Sequence, residues 1–132
     1  MVSSHPRTLS ALDHARILRL LPQAGAQDLL RDLLDNADLL PPREVPPGLV
    51  TMYSQVLLAD AGGGVPRRVT LCYPDDAEPA AGFLSVLSPL GTALLGARVG
   101  DEVYWSSPDG RRFGARVLAL LFQPEASGDF TL

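Results

Sequence analysis

Pro41-Pro42-Arg43-Glu44-Val45-Pro46-Pro47-Gly48 decides how the rest of the chain is read. Proline has no backbone N–H to donate and biases the residue before it away from helix, so no helix runs through this stretch. Ahead of it the hydrophobic period is helical; beyond it the pattern is mostly that of short strands. The expectation is a short helical segment, residues 1–47 with the proline-rich linker, followed by a sheet unit, residues 48–132.

In the first part, Ser10 and Asp13 offer capping chemistry for a helix over roughly 9–21. Pro22-Gln23-Ala24-Gly25 is expected to break it. A second helix follows, with Ala26, Leu29, Leu30, Leu33, Leu34 and Ala37 at i, i+3, i+4 and i+7 spacing. So short a break predicts an antiparallel helical hairpin, and the leucine stripe is read as its interface. In the second part a strand is expected over 50–60, with Val50, Met52, Val56 and Leu58 on one face. Ala61-Gly62-Gly63-Gly64 turns the chain into a strand at 67–74, and a polar loop leads to a third strand at 82–87. Ser88 as N-cap and Pro89 at the first helical position predict a short helix over 89–95, which Gly96 stops. Strands at 102–106 and 111–123 flank a Pro108-Asp109-Gly110 turn. The order predicts an α+β unit: an antiparallel sheet with one helix laid across it.

Bulk properties exclude several classes. The 132 residues carry 11 Lys+Arg against 15 Asp+Glu, a formal net charge of -4. That balance gives no broad electrostatic footprint for holding nucleic-acid phosphates, so no direct nucleic-acid partner is expected. Cys72 is the only cysteine, which rules out an internal disulfide and any cysteine-based zinc cluster. No run approaches the roughly 20 apolar residues that span a bilayer. A cytoplasmic monomer without membrane partners is the expectation.

Nothing in the sequence makes a convincing active site. His5 falls near the N-terminus, and His14, on a helix, is read as a solvated surface group. Ser54 and Ser88 have no base placed beside them by any motif. Asp75, Asp76 and Glu78 are read as a solvated loop, not a metal site. Gly62 to Gly64 lacks the Lys-Ser/Thr of a phosphate-cradling loop. Cys72 is read as an inert, buried thiol and Trp105 as core. A non-enzyme without cofactor is expected.

Several segments together resemble Rnk proteins and the C-terminal domain of Gre factors. They are Leu12-Asp-His-Ala-Arg16, Val50-Thr-Met-Tyr-Ser54, Leu84-Ser-Val-Leu-Ser-Pro-Leu-Gly91 with Ala93-Leu-Leu-Gly96, Val99-Gly-Asp-Glu-Val-Tyr-Trp105 and Leu121-Phe-Gln-Pro-Glu125. Their order and spacing span nearly the whole chain, and the short N-terminal segment favours Rnk. The resemblance implies an FKBP-like fold for about 48–125. It also implies a partner, RNA polymerase, bound near the mouth of its secondary channel. The implied contact is the loop entering the short helix: Leu87, Ser88, Pro89, Leu90, Gly91 and Leu94. Gre factors tend to carry an acidic residue where this chain has Leu87. They also insert a long coiled coil with an acidic tip, whereas the expected tip here, Leu21 to Gln27, has no carboxylate. A regulator that does not stimulate transcript cleavage is therefore expected. The alternative is an FKBP-like adaptor or dimerisation module with another protein partner. The same layout occurs in peptidyl-prolyl isomerases, whose pockets are aromatic; this chain is 6% aromatic.

Overall fold

A computed structural model describes residues 7–24 and 28–130 of the chain. The N-terminal part contains a strand β1 (Thr8–Ser10), helices α1 (Ala11–Ala24) and α2 (Asp28–Asn36), and a strand β2 (Asp38–Leu40). Strands β1 and β2 pair in parallel, Thr8 opposite Asp38. This pairing brings together the segment that enters α1 and the one that leaves α2. Neither strand was expected, because three residues are too few to show an alternating pattern.

Two further expectations change here. Helix α1 does not stop before Pro22 but continues to Ala24. In the last turn a proline removes only one intrahelical bond, and its fixed φ suits a helix. Gly25 and Ala26 lie outside the described residues, as does His5. In α2 the buried positions are Leu30 and Leu34, while Leu29 is 80% exposed. At 100° per residue Leu29 lies a third of a turn from the centre of the Leu30–Leu34 stripe, so it falls outside the buried face. His14 is half-buried, not solvated: its Nε2 lies 3.0 Å from the carbonyl oxygen of Leu34, which ties α1 to the end of α2.

The second part builds a curled five-stranded sheet from β3 (Gln55–Asp60), β4 (Arg67–Cys72), β5 (Phe83–Ser85), β6 (Glu102–Ser106) and β7 (Arg112–Phe122). Their order is β5-β4-β3-β7-β6. The sheet is mixed, since β5 pairs in parallel with β4, Thr70 opposite Phe83. The loop between them, with two single-turn 3₁₀ segments at Pro74–Asp76 and Pro79–Ala81, carries the chain back before β5 begins. Register shifts between β3 and the long β7 bend the sheet. Helix α3 (Pro89–Leu94) packs against both edge strands, β5 and β6. Val56, Leu58, Leu71, Leu94 and Val117 fill the space beneath it, and the same apolar cluster continues through Ile17, Leu21, Leu30 and Leu34. Trp105 packs at the margin of this core, stacked on Phe113 with ring centroids 5.7 Å apart.

The expected strand over 50–60 begins only at Gln55. Residues 50–54 form a buried turn in which Tyr53 has φ +65°. The Ser54 amide donates to the Thr51 carbonyl at 3.0 Å, and the Thr51 amide to Ser54 Oγ at 2.9 Å. Alternating Val50 and Met52 looked like one face of a strand; the turn buries Val50, Thr51 and Met52 alike.

The proline stretch is pinned from β7. Gln123, 4% exposed, donates through Nε2 to the carbonyls of Pro46 at 2.8 Å and Leu49 at 2.6 Å. Leu49 in turn bridges Arg98. Replacing Gln123 by Ala takes a donor from the Leu49 carbonyl and leaves the Pro46 carbonyl with only the Leu49 amide, at a cost of about 1–3 kcal/mol. A urea-unfolding midpoint lowered to that extent is the expected outcome; an unchanged midpoint would mean that water replaces the amide without loss.

Candidate functional site

The turn into α3 is built from hydrogen bonds local in sequence. Ser85 ends β5, and its carbonyl accepts from the Ser88 amide at 3.0 Å and from Ser88 Oγ at 2.7 Å. Ser88 Oγ itself accepts from the Gly91 amide at 3.1 Å, the N-cap bond expected from the sequence. Ser85 Oγ accepts from the Leu87 amide at 3.1 Å, and Thr92 Oγ1 donates to the Val86 carbonyl at 2.8 Å. Pro89 occupies the first helical position, where its missing donor costs nothing. Gly91 is required by space: a Cβ there would lie 2.0 Å from the Ser85 carbonyl oxygen. Gly96, with φ +77°, ends the helix.

The six residues of interest are not equivalent. Pro89 is exposed, and Leu87 and Ser88 are half-buried. Leu90, Gly91 and Leu94 are buried, Leu94 completely. The first three form the outer surface of the turn, and the second three hold it from beneath. A charge at position 90 or 94 would enter the core. From Pro79 to Ala97 the chain has no charged residue, so this surface is uncharged throughout.

Other candidates are absorbed by structure. Ser54 is buried, its Oγ 3.0 Å from Thr51 Oγ1, whose hydroxyl donates to Glu125 Oε1 at 2.7 Å. Asp76 accepts a hydrogen bond from the Tyr53 hydroxyl. Cys72 is a buried free thiol whose Sγ lies 3.4 Å from the Leu84 carbonyl, and burial pushes its pKa up. Among the described residues, no three His, Cys, Asp or Glu side chains are grouped to hold a metal ion, and no helix is long and apolar enough to cross a membrane.

Sequence reasoning took Asp13, with Ser10, as capping chemistry and missed its place in the core. Ser10 caps α1, its Oγ accepting from the Asp13 amide at 3.0 Å. The Asp13 side chain leaves the helix: it is 1% exposed, and its Oδ2 accepts from the Met52 amide at 3.1 Å. Asp13 stands four residues before Ile17 and eight before Leu21, both buried, so its place on the apolar face was available from spacing alone.

Comparison with known proteins gives this architecture a family. The description "Transcription elongation factor, GreA/GreB, C-term" matches residues 45–121. The structure of a GreA/GreB factor from Nitrosomonas europaea has the same fold, with a TM-score of 0.76 and 32% identity. That match covers 90% of this chain and all of the other. The regulator of nucleoside diphosphate kinase of Escherichia coli is 42% identical over 129 residues, covering 94% of this chain and 95% of that protein. The elongation factor GreA of Solidesulfovibrio magneticus is 40% identical over 81 residues, 61% of this chain and 49% of that protein. The chain belongs to the Rnk family, the regulators of nucleoside diphosphate kinase, which is related to the GreA/GreB transcription elongation factors.

Ser88→Ala removes the cap of α3 and one donor to Ser85; a loss of about 1 kcal/mol is expected. In a domain of this size that lowers the thermal midpoint by about 4 °C. Gly91→Ala should destabilise more, because the clash is with backbone. Equal midpoints for the two variants would show that the Ser85 carbonyl moves aside.

Proposed function

We propose that this chain is a transcription regulator that binds RNA polymerase near its secondary channel and competes there with Gre factors, without stimulating transcript cleavage. The observation that carries the reading is the turn at Leu87–Pro89. It is uncharged, held in shape by Ser85 and Ser88, and is the segment through which this reading has the chain meet the polymerase. Leu87 and Pro89 supply apolar area and Ser88 positions them. Leu90, Gly91 and Leu94 act by supporting the turn.

The reading divides the chain into a helical arm within residues 1–47, an antiparallel hairpin, and an FKBP-like unit over 48–132. It takes the arm as too short and too poor in carboxylates to act in the polymerase active centre. Helix α1 has 14 residues, a length of about 21 Å at 1.5 Å per residue. No Asp or Glu lies between Asp13 and Asp28, so nothing near the turn of the arm can hold Mg²⁺. Occupancy of the channel mouth is then the whole action, carried out in the cytoplasm by a non-enzyme. Any effect on nucleoside diphosphate kinase runs through transcription.

Pro89→Glu puts a charge on the exposed apex without entering the core. It should weaken co-elution with core RNA polymerase about tenfold or more, with the fold intact by circular dichroism. Undiminished binding by the folded variant would remove this turn from the interface. Because the surface is uncharged, affinity should change little between low and physiological salt. A steep loss with salt would point to the charged faces of the sheet instead. Excess Gre factor should abolish co-elution, and a stalled elongation complex should release no short 3′ fragments when the protein is added.

A second reading, a dimerisation module, draws on the exposed Leu18 and Leu29 of the helices, 46% and 80% exposed. Sedimentation as a monomer at high concentration would end it.

A further inference from the structure

A carboxyl group buried on the apolar face of a helix is costly unless it is neutral or fully paired. Asp13 is not fully paired, and Arg16 offsets its charge only weakly. Its Oδ2 accepts from the Met52 amide, while Oδ1 is buried with no hydrogen-bond partner within bonding distance among the described residues. Asp13 is also the only carboxyl group on α1, and the bond to Met52 is the one polar bond of α1 to the 50–54 turn among the described residues. The bond therefore sits at the seam between the first helix and the sheet unit, with Ile17 and Leu21 on the same helical face beyond it.

We propose that Asp13 is a proton-operated latch, which holds the first helix against the 50–54 turn when protonated and loosens that seam when ionised. The protonated acid keeps Oδ2 as acceptor for the Met52 N–H and leaves no net charge in the core. Loss of the proton to solvent leaves a buried carboxylate that only the Met52 N–H and, more weakly, Ser10 and Arg16 offset.

The groups that face the latch come from four elements. On α1, Arg16 lies close enough to favour ionisation, while His14 is turned away to the Leu34 carbonyl. From the turn come the Met52 amide and Thr51, and Thr51 bonds Glu125 of the C-terminal 3₁₀ turn (Glu125–Ser127). The Glu125 charge disfavours a second charge on Asp13. Tyr73, just past β4, feels the Asp13 charge as well as Arg16. Burial is the largest influence and pushes the Asp13 carboxyl up to about 7; the Met52 N–H opposes it, Glu125 adds to it, and Ser10 and Arg16 oppose it more weakly. An exposed aspartate titrates near ~3.9. The docked state thus binds the proton more tightly than the open state. Docking is strongest below about pH 4, weakens about tenfold per pH unit up to about pH 7, and is level above that. The top of this range lies at neutrality, where the hold on the helix responds to small changes in proton concentration.

Hydrogen exchange at the Met52 amide reads the latch directly, in the full chain and without a partner. Exchange would be followed by NMR from about pH 5 to about pH 8.5, with each rate divided by the intrinsic rate at that pH. The protection factor should fall with pH and then level near neutrality. In Asp13→Asn, which keeps an acceptor but cannot ionise, it should be flat. Glu125→Gln removes a neighbouring charge, so levelling should move to lower pH. A flat profile in the unaltered protein would overturn the proposal; so would a slope that survives in Asp13→Asn.

Discussion

An irregular segment can be buried only if each of its backbone amides finds a partner, because an unpaired amide away from water costs as much as several good contacts gain. The turn over residues 50–54 meets that condition five times. Val50 donates to Ala97, Thr51 to Ser54 Oγ, Met52 to Asp13, Tyr53 to Leu71 and Ser54 to Thr51. Apart from Ser54 Oγ and the Thr51 carbonyl, which lie within the turn, each acceptor belongs to a different part of the molecule: the first helix, β4, and the segment leaving α3. The turn is therefore the junction at which those elements are fixed, and the Asp13 bond is the one that reaches the N-terminal part.

The same logic explains which features were legible in the sequence. The β6–β7 pair and α3 with its Ser88 cap depend on local signals: alternation, a Pro-Asp-Gly turn, a Ser-Pro start and a glycine stop. Such signals act over a few residues and can be read from a few residues. The turn at 50–54 depends on backbone partners up to 47 residues away, at Ala97, and on a side-chain partner 74 residues away, at Glu125, and its left-handed Tyr53 is a residue type that gives no warning of that conformation. Read locally, its apolar alternation says strand. The parallel edge of β4 with β5 and the β1–β2 pair are likewise decided by where loops carry the chain, which no short window contains.

The candidate site was legible in part for a related reason. Its boundaries follow from the cap and the proline, but its division into outer and inner residues does not. Leu87 and Leu90 are the same residue type three positions apart, yet one lies half-open and the other is buried. What separates them is the helix start at Pro89, which rotates Leu90 under the turn. Asp13 shows the converse: its spacing with Ile17 and Leu21 marks it as inward-facing, but its charge disguises it as surface.

The short bonds linking Ser85, Ser88, Gly91 and Thr92 close on themselves within eight residues. A loop shaped this way has little conformational freedom left to surrender when something docks on it. Ordering penalties of about 0.5–1.5 kcal/mol per immobilised side chain, usual at interfaces, largely fall away for Ser88 and Pro89. A surface of so few exposed side chains can then be selective by preorganisation instead of by extent, admitting a partner of matching shape and adapting to no other.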